Sequence, residues 1–515
     1  MSPYVLFRMW VRRASYGQRV TTAMGAAVVV AMIAWIAVPS ADSANRVATA
    51  GGGFSPVAGA TAGSSTTTAN SSTSGTGGGS GGPAQPSSAT QATASSQGGS
   101  GAVTGSSATG GGSTPQGCAG PLSPVKIGVI IPDVGSGSAS LNSTFGIPSA
   151  SEEQSDYQAV FDSINKSGGV ACHSLVGDYA VFNETDSTAA QTECLQFVQD
   201  KVFAVLGGWL PSSSDTCAVQ NHLPTIEQEL IPASQVKQFY PYYLSTAGEL
   251  DLLFHNFAHA LTQMGYFSAS KGFKKLGIFY RDCISGEYQS LVAQLEQAGL
   301  AASAIDSFDV GCSSSPFAPP STVESAILQF QRDGVTDVTP MNEYEDLQAF
   351  TRQANSQGYK PQYLVEDDGI VATSSSTTFS PDATNFDGAV GITPYQYAAI
   401  ATGLPETATT KQCDQIMTSH GLPTVYQSGD QFAGVVCSLA FMLQAGIAHD
   451  PTLRQESLAP GLQAAGSVNL SFPDGPNDFK SSGGTFGGEY WRPLVFQASC
   501  SCWKVTNPNF SPSFP

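Results

Sequence analysis

From Val125 onward, short apolar runs alternate with one-faced helical windows, and this alternation constrains the fold more than any single motif. The run "VKIGVIIP" (125–132) is rich in β-branched residues and ends on proline, the pattern of a strand buried on both faces. After it, Tyr157, Val160, Phe161 and Ile164 recur at i, i+3, i+4 and i+7, which lines one face of a helix. Ser151 is the expected N-cap, with Glu152 and Glu153 as an acidic first turn. The helix ends in "INKSGGV" (164–170), where one glycine in the left-handed region would suffice as a stop. Gly168 or Gly169 therefore fills that place, and the other gives a sharp return into the next strand. Strand, loop, helix and glycine stop together open a parallel α/β unit.

The alternation continues through the strand "KVFAVLGGW" (201–209), a helix capped within "PSSSDT" (211–216), and the short strand "LPTI" (223–226). A second series starts at "KKLGIFY" (274–280). It runs through "EYQSLVAQLEQAGL", "SAIDSFDV", "STVESAILQFQRDGV", "VTDVTP" (335–340), "EDLQAFTRQANSQGY" and "QYLVEDD" (362–368). Two series of this kind predict an α/β protein with two doubly wound parallel-sheet lobes.

The chain before this region reads differently. Residues 41–117 are dominated by Ser, Gly, Thr and Ala, too poor in large apolar side chains to offset the entropy of folding, and are expected to be a disordered tether. Ahead of them, Arg8, Arg12, Arg13 and Arg19 precede the apolar run Ala23–Val38, so residues 1–40 read as a signal peptide or signal anchor. A spanning helix needs about 20 residues, which Val20–Val38 approaches with snorkelling arginines; "VPSADSA" offers small residues to a signal peptidase. All ten cysteines lie beyond the tether, which fits disulfides on the oxidising side of a membrane. The formal charge of −19 argues against binding a phosphate backbone, so nucleic acid is excluded as a partner. The expected location is extracytoplasmic, either anchored to the outer face of the cytoplasmic membrane or secreted.

In this order, "VKIGVIIP", the helix ending "INKSGGV", the strand "DKVFAVLGGW" and the later "KKLGIFY" resemble the type I periplasmic-binding-protein fold. The resemblance is to the substrate-binding proteins of branched-chain amino acid ABC importers (leucine/isoleucine/valine-binding-protein-like), which share an Asn-x-x-Gly-Gly motif after the first helix. "GDQFAGVVCSLAFMLQAGI" (429–447) is similar to the long family helix that returns the chain to the first lobe. The likeness covers about residues 124–500. It implies two lobes joined by a three-segment hinge, with a ligand held between them. The lobes are expected at 118–247 plus about 395–465, and at 248–394 plus about 466–515.

Ligands of open parallel sheets bind beyond the carboxyl ends of the strands, so candidate residues are sought there. Ser212, Ser213 and Ser214 begin a helix after the "VLGGW" strand, where hydroxyls and free N–H groups can meet an α-carboxylate or simply cap the helix. The resemblance assigns ligand binding to Ser212 and Ser213. Trp209 and Phe145 lie on strand-end loops, as an aromatic wall or as plain core. Asp367 and Asp368 end a second-lobe strand before Gly369, either waiting for a ligand ammonium or forming a solvated turn. By resemblance Asp368 matches an acidic amine-binding position, and Tyr344 one that closes over the ligand. After the fourth strand the family's Ser/Thr pair is missing, and Ser234 is the nearest substitute.

Enzymatic motifs fail on context. "HNFAH" places His255 and His259 one turn apart, but Asn256 stands where a metalloprotease carries its Glu base. Leu250, Leu253, Phe254, Phe257, Leu261 and Met264 mark the apolar face of that helix, which points both histidines to the solvated side. The G-x-S-x-G match at Gly78–Gly82 falls in the tether, where no strand–turn–helix can hold a nucleophile. Neither a metal nor a cofactor is expected. In a sheet of order 2-1-3-4, Cys118 pairs with Cys172 at one edge and Cys194 with Cys217 on neighbouring helices. Cys283 then pairs with Cys312, Cys413 with Cys437, and Cys500 with Cys502.

The expected function is non-enzymatic: an extracytoplasmic solute-binding receptor for an amino acid or similar small polar molecule, working with an ABC permease. The alternative of a different class is a membrane-tethered ligand-sensing or interaction ectodomain with the same fold. A hydrolase grafted on the fold is disfavoured for want of a nucleophile, base and orienting group.

Overall fold

The computed structural model describes residues 121–133, 148–183, 188–207, 212–281, 286–311, 318–341, 344–366, 380–395, 406–427, 432–449, 452–471, 475–488 and 490–515. All belong to the second of two compact units, 104–515. Within it the first sheet has the order β2-β1-β3-β4-β5, wholly parallel. Its strands are β1 (Ser123–Asp133), β2 (His173–Asn183), β3 (Val205–Leu206), β4 (Thr225–Glu227) and β5 (Tyr243–Ser245). Ile127, Val129 and Ile131 of β1 pack under α1 (Ala150–Lys166), while Ile130 faces a second cluster with α2 (Ala189–Asp200) and α3 (Ser212–Gln220). That two-sided burial is what the continuous apolar run encodes.

Local details correct the sequence reading. Ser149, not Ser151, caps α1: it accepts from the backbone N–H of Glu152 while the Glu152 carboxylate accepts from the Ser149 N–H. This capping box needs an acid three residues after the cap, which Ser149 has in Glu152. At the other end, Ser167 is the C-cap, and Gly168 (φ 102°) and Gly169 (φ 70°) both take positive φ. The second glycine does more than turn the chain, because a Cβ on Gly169 would lie 2.1 Å from the His173 carbonyl. Asn165 explains the rest of the motif: its side chain donates to the Leu175 carbonyl (2.8 Å) and accepts from the Leu175 N–H (2.7 Å), stitching α1 to β2. The Asn-x-x-Gly-Gly motif is thus a joint between helix and strand. Where a strand from Lys201 is expected, Lys201 instead ends α2 in the left-handed conformation (φ 58°), and β3 begins at Val205.

The second sheet holds five parallel strands: β6 (Leu276–Tyr280), β7 (Ile305–Asp309), β8 (Asp337–Met341), β9 (Gln362–Val365) and β10 (Val390–Thr393). Packed on it are α5 (Leu250–Gln263) against α6 (Glu287–Gln297), and α7 (Pro320–Asp333) against α8 (Tyr344–Ser356). The sheet is not wholly parallel. After α9 (Ala383–Phe386), α10 (Ala408–Ser419), α11 (Phe432–His449), α12 (Leu458–Ala465) and the small pair β11 (Ser467–Asn469) and β12 (Pro476–Asp478), the chain returns to it. There β13 (Tyr490–Gln497), β14 (Cys502–Val505) and β15 (Ser511–Pro512) add antiparallel strands beside β10. α11 is apolar enough by composition to cross a membrane, yet it is buried along most of its length against α1, α10 and α12, as a core helix.

Three disulfides stand as expected: Cys194–Cys217 between α2 and α3, Cys413–Cys437 between α10 and α11, and Cys500–Cys502. Cys172 is also disulfide-bonded, to a residue outside the described set. Cys118, Cys283 and Cys312 lie outside the described residues.

Three passages connect the sheets, and each meets them at the carboxyl ends of strands. The first runs from Ser245, the end of β5, to Leu250, the start of α5, and the second leaves β10 at Thr393 for α10. The third enters β13 from Phe486, which bridges Ser245; Ser245 also donates its N–H to the Thr485 carbonyl at 2.7 Å. Gly248 and Gly488 touch where the first and third passages cross, and a Cβ on Gly488 would fall 2.6 Å from the Gly248 nitrogen. No residue with a side chain fits there without displacing backbone.

Candidate functional site at the strand ends

At the first sheet, β4 ends on a carboxylate. Glu227 is fully buried, and neither of its carboxyl oxygens is held in a well-formed hydrogen bond, although the Asp215 and Thr225 side chains lie close enough to act on it. Asp215, one turn into α3, is 2 % exposed with its Oδ1 likewise unpartnered. Burial, then the neighbouring Asp215 charge, pushes the Glu227 carboxyl well above its ordinary range; burial pushes Asp215 up to about 6. Two adjacent carboxyls without a cation are tolerated when one keeps its proton. One residue further along, Gln228 Oε1 and Thr246 Oγ1 are also buried and unpartnered. The two residues are neighbours across the ladder, since Glu227 pairs with Ser245 and the Thr246 N–H donates to the Glu227 carbonyl at 2.8 Å.

The second sheet is arranged differently. Arg281, immediately after β6, donates through Nε to Asp346 on α8 at 2.6 Å, with both side chains buried. The other Asp346 oxygen accepts from the Ala318 N–H at 2.7 Å. Glu366, just past β9, is buried, as is Arg492, which stands opposite Thr393 at the end of β10. Burial lowers the Arg492 guanidinium to about 10, and the group lies 4.4 Å from the centroid of the Phe510 ring.

Of the residues expected from sequence, Ser212 and Ser213 open α3 and Tyr344 opens α8, but their side chains lie outside the described set. Phe145, Trp209 and Asp368 are outside it entirely. Ser234 is exposed on α4 (Ala233–Phe239), one helix beyond β4. Glu227 was missed as a site residue, although an acid ending the apolar run of "LPTIEQ" is a visible signal. The His255/His259 expectation also needs correction. The rings are half-buried and 4.3 Å apart, with His255 Nδ1 3.1 Å from Gln294 Oε1 on α6 and His259 5.4 Å from Phe514. The polar side of α5 is covered because Asn256 is held by the C-terminal segment, donating to Ser513 and accepting from the Phe514 N–H. Among the described residues no group of three His, Cys, Asp or Glu side chains could hold a metal. A recess of about 690 Å3 lies at the opposite end of the first sheet, lined by Pro124, Lys126, Lys201, Phe203 and Arg454.

One parallel sheet and one mostly parallel sheet, joined by three passages at the carboxyl ends of their parallel strands, define the class, an α/β protein of the type I periplasmic-binding-protein fold. Solved structures agree. A possible leucine/isoleucine/valine-binding protein from Rhodopirellula baltica matches with TM-score 0.54 at 13 % identity, covering 75 % of this chain and 97 % of that one. A solute-binding protein of an ABC transporter from R. palustris, in complex with 4-hydroxybenzoate, matches with TM-score 0.56 at 12 % identity over 76 % and 98 % of the two chains. The branched-chain amino acid transporter substrate-binding protein of Streptococcus pneumoniae, in complex with isoleucine, matches with TM-score 0.52 at 14 % identity over 75 % and 100 %. No family model matches the chain, and no curated protein matches it in sequence.

Proposed function

We propose that this chain is a non-enzymatic, extracytoplasmic solute-binding receptor. It takes up an amino acid or similar small polar molecule between the carboxyl ends of its two sheets and hands it to an ABC permease. The observation that carries the reading is the meeting of all three passages at those ends, next to buried polar groups with no protein partner. The solved neighbours include proteins seen with isoleucine and with 4-hydroxybenzoate, which favours a ligand of that size. The passages act as a hinge, with one lobe on each sheet, and closure buries the ligand. Residues 1–40 hold the protein at the outer face of the membrane through the tether. The test is thermal melting of the purified chain against a broad panel of amino acids, aromatic acids, sugars and polyamines. A true ligand at 100 times its Kd stabilises by about 2.7 kcal/mol and shifts the midpoint visibly. A panel without any shift would remove the receptor reading.

A further inference from the structure

Resting on the receptor reading, we propose that the end of the first sheet is the amine subsite: Glu227, with Asp215, Gln228 and Thr246 around it, receives the ammonium of the ligand. The sequence expectation was the reverse, with the ammonium on Asp368 and the carboxylate at Ser212 and Ser213. The argument is a count of donors. Glu227 brings two buried acceptor oxygens, Asp215 Oδ1 and Gln228 Oε1 add two more without a partner, and the Thr246 hydroxyl, also without one, supplies a single donor. Two of the neighbouring hydroxyls are turned elsewhere, Tyr243 and Ser245 both donating to the Glu229 carbonyl at 2.9 and 3.0 Å, while the Thr225 hydroxyl, 3.4 Å from the Tyr242 carbonyl, lies close enough to ease the Glu227 charge. Every charge acting on Glu227 is negative, from Asp215 and Glu229. A proton shared by the two carboxyls relieves their repulsion but leaves the site with more acceptors than donors and no positive charge. A primary ammonium brings three donors and one positive charge, which is what the site lacks. Among the described residues at the ends of the second sheet, Asp346 is matched by the Arg281 guanidinium and a second buried cation, Arg492, stands opposite Thr393, which sets that end apart from the first.

The experiment uses the full chain and four probes of similar size. Leucine carries both charges, isopentylamine only the ammonium, and 4-methylpentanoate and 4-hydroxybenzoate only a carboxylate. Leucine and isopentylamine should raise the melting midpoint and show binding by calorimetry, and the two acids should not. Glu227→Gln should weaken the amine probes at least about 30-fold, the loss expected when a buried ammonium loses its counter-charge. The same variant should melt no lower than the parent without ligand, because burial holds the unliganded Glu227 protonated and Gln replaces it as a neutral group of the same size. If it fails to fold, Gln228→Leu tests the same subsite and should weaken the amine probes several-fold. Binding of the acids alone, or amine affinity unchanged in Glu227→Gln, would overturn the amine subsite while leaving the receptor reading standing. A parent that none of the four probes shifts also overturns it, and the receptor reading then depends on the broader panel.

Discussion

The two sets of strand ends solve the same problem in opposite ways. At the second sheet, the buried Arg281 meets Asp346 at 2.6 Å and the carboxylate also accepts a backbone N–H, so the charges are compensated from within. At the first sheet, the buried Glu227 has an acid for a neighbour and no cation against it among the described residues. A compensated pair is architecture, since burying it is tolerable only while both partners stay. An uncompensated group is either a standing cost or a place prepared for something that arrives. On the proposed reading the contrast separates residues that hold the fold from residues placed for a ligand, although both are buried, ionisable and at strand ends.

The sharpest way to break this contrast is to remove one partner on each side. Arg281→Ala leaves Asp346 buried without its cation, and should destabilise by about 3–5 kcal/mol, read as a loss in denaturant midpoint at unchanged slope. Glu227→Gln should cost nothing without ligand. Equal losses in the two variants would mean that Glu227 is also compensated, and the distinction between the sheets would fall.

A smaller effect is expected where the passages cross. Gly488→Ala puts a methyl 2.6 Å from the Gly248 nitrogen, and overpacking of this kind costs about 1–3 kcal/mol. If both sheets draw on this crossing, the variant should also weaken ligand binding, because it shifts the carboxyl ends relative to each other. Loss of stability with affinity intact would show that the crossing is scaffold for each sheet separately.

The parts legible in sequence were those written in local period. "VKIGVIIP" became β1, and the i, i+3, i+4, i+7 stripe from Tyr157 became the buried face of α1. Both patterns depend on one residue's neighbours along the chain. The cap of α1 was misplaced by two residues because Ser149 and Ser151 both precede acids, and only the reciprocal bond with Glu152 separates them. The strand-end chemistry was less legible, since what matters there is a missing partner. Nothing in "LPTIEQ" says that Tyr243 and Ser245 turn their hydroxyls to Glu229 instead of Glu227. The covered histidines fall in the same class, because Phe514 and Ser513 reach α5 from the far end of the chain.

The smallest effect is a pH dependence, and its sign follows from which groups are buried. Burial raises Asp215 to about 6, raises Glu227 further, and raises Asp156 on α1 to about 7, the last also through the nearby Glu152 charge. Each carboxyl binds its proton more tightly in the folded chain than in the unfolded one, whose carboxyls titrate near 4. Between about pH 4 and 7 the native state therefore holds more protons, and stability falls as pH rises through that window. In the second sheet Asp337, raised to about 6 by burial, adds to the same slope. His259 opposes it: burial and the adjacent His255 lower its pKa, so its contribution is lost as pH falls below the ordinary histidine range. The carboxyls outnumber it, and the unliganded protein should melt at a higher temperature at pH 5 than at pH 7.5. Asp156→Asn and Glu227→Gln should each flatten that difference, and a bound amine should flatten it further by holding Glu227 ionised. A slope that no first-sheet variant changes would place the titrating groups elsewhere, and with them the imbalance of charge on which the contrast between the two sets of strand ends depends.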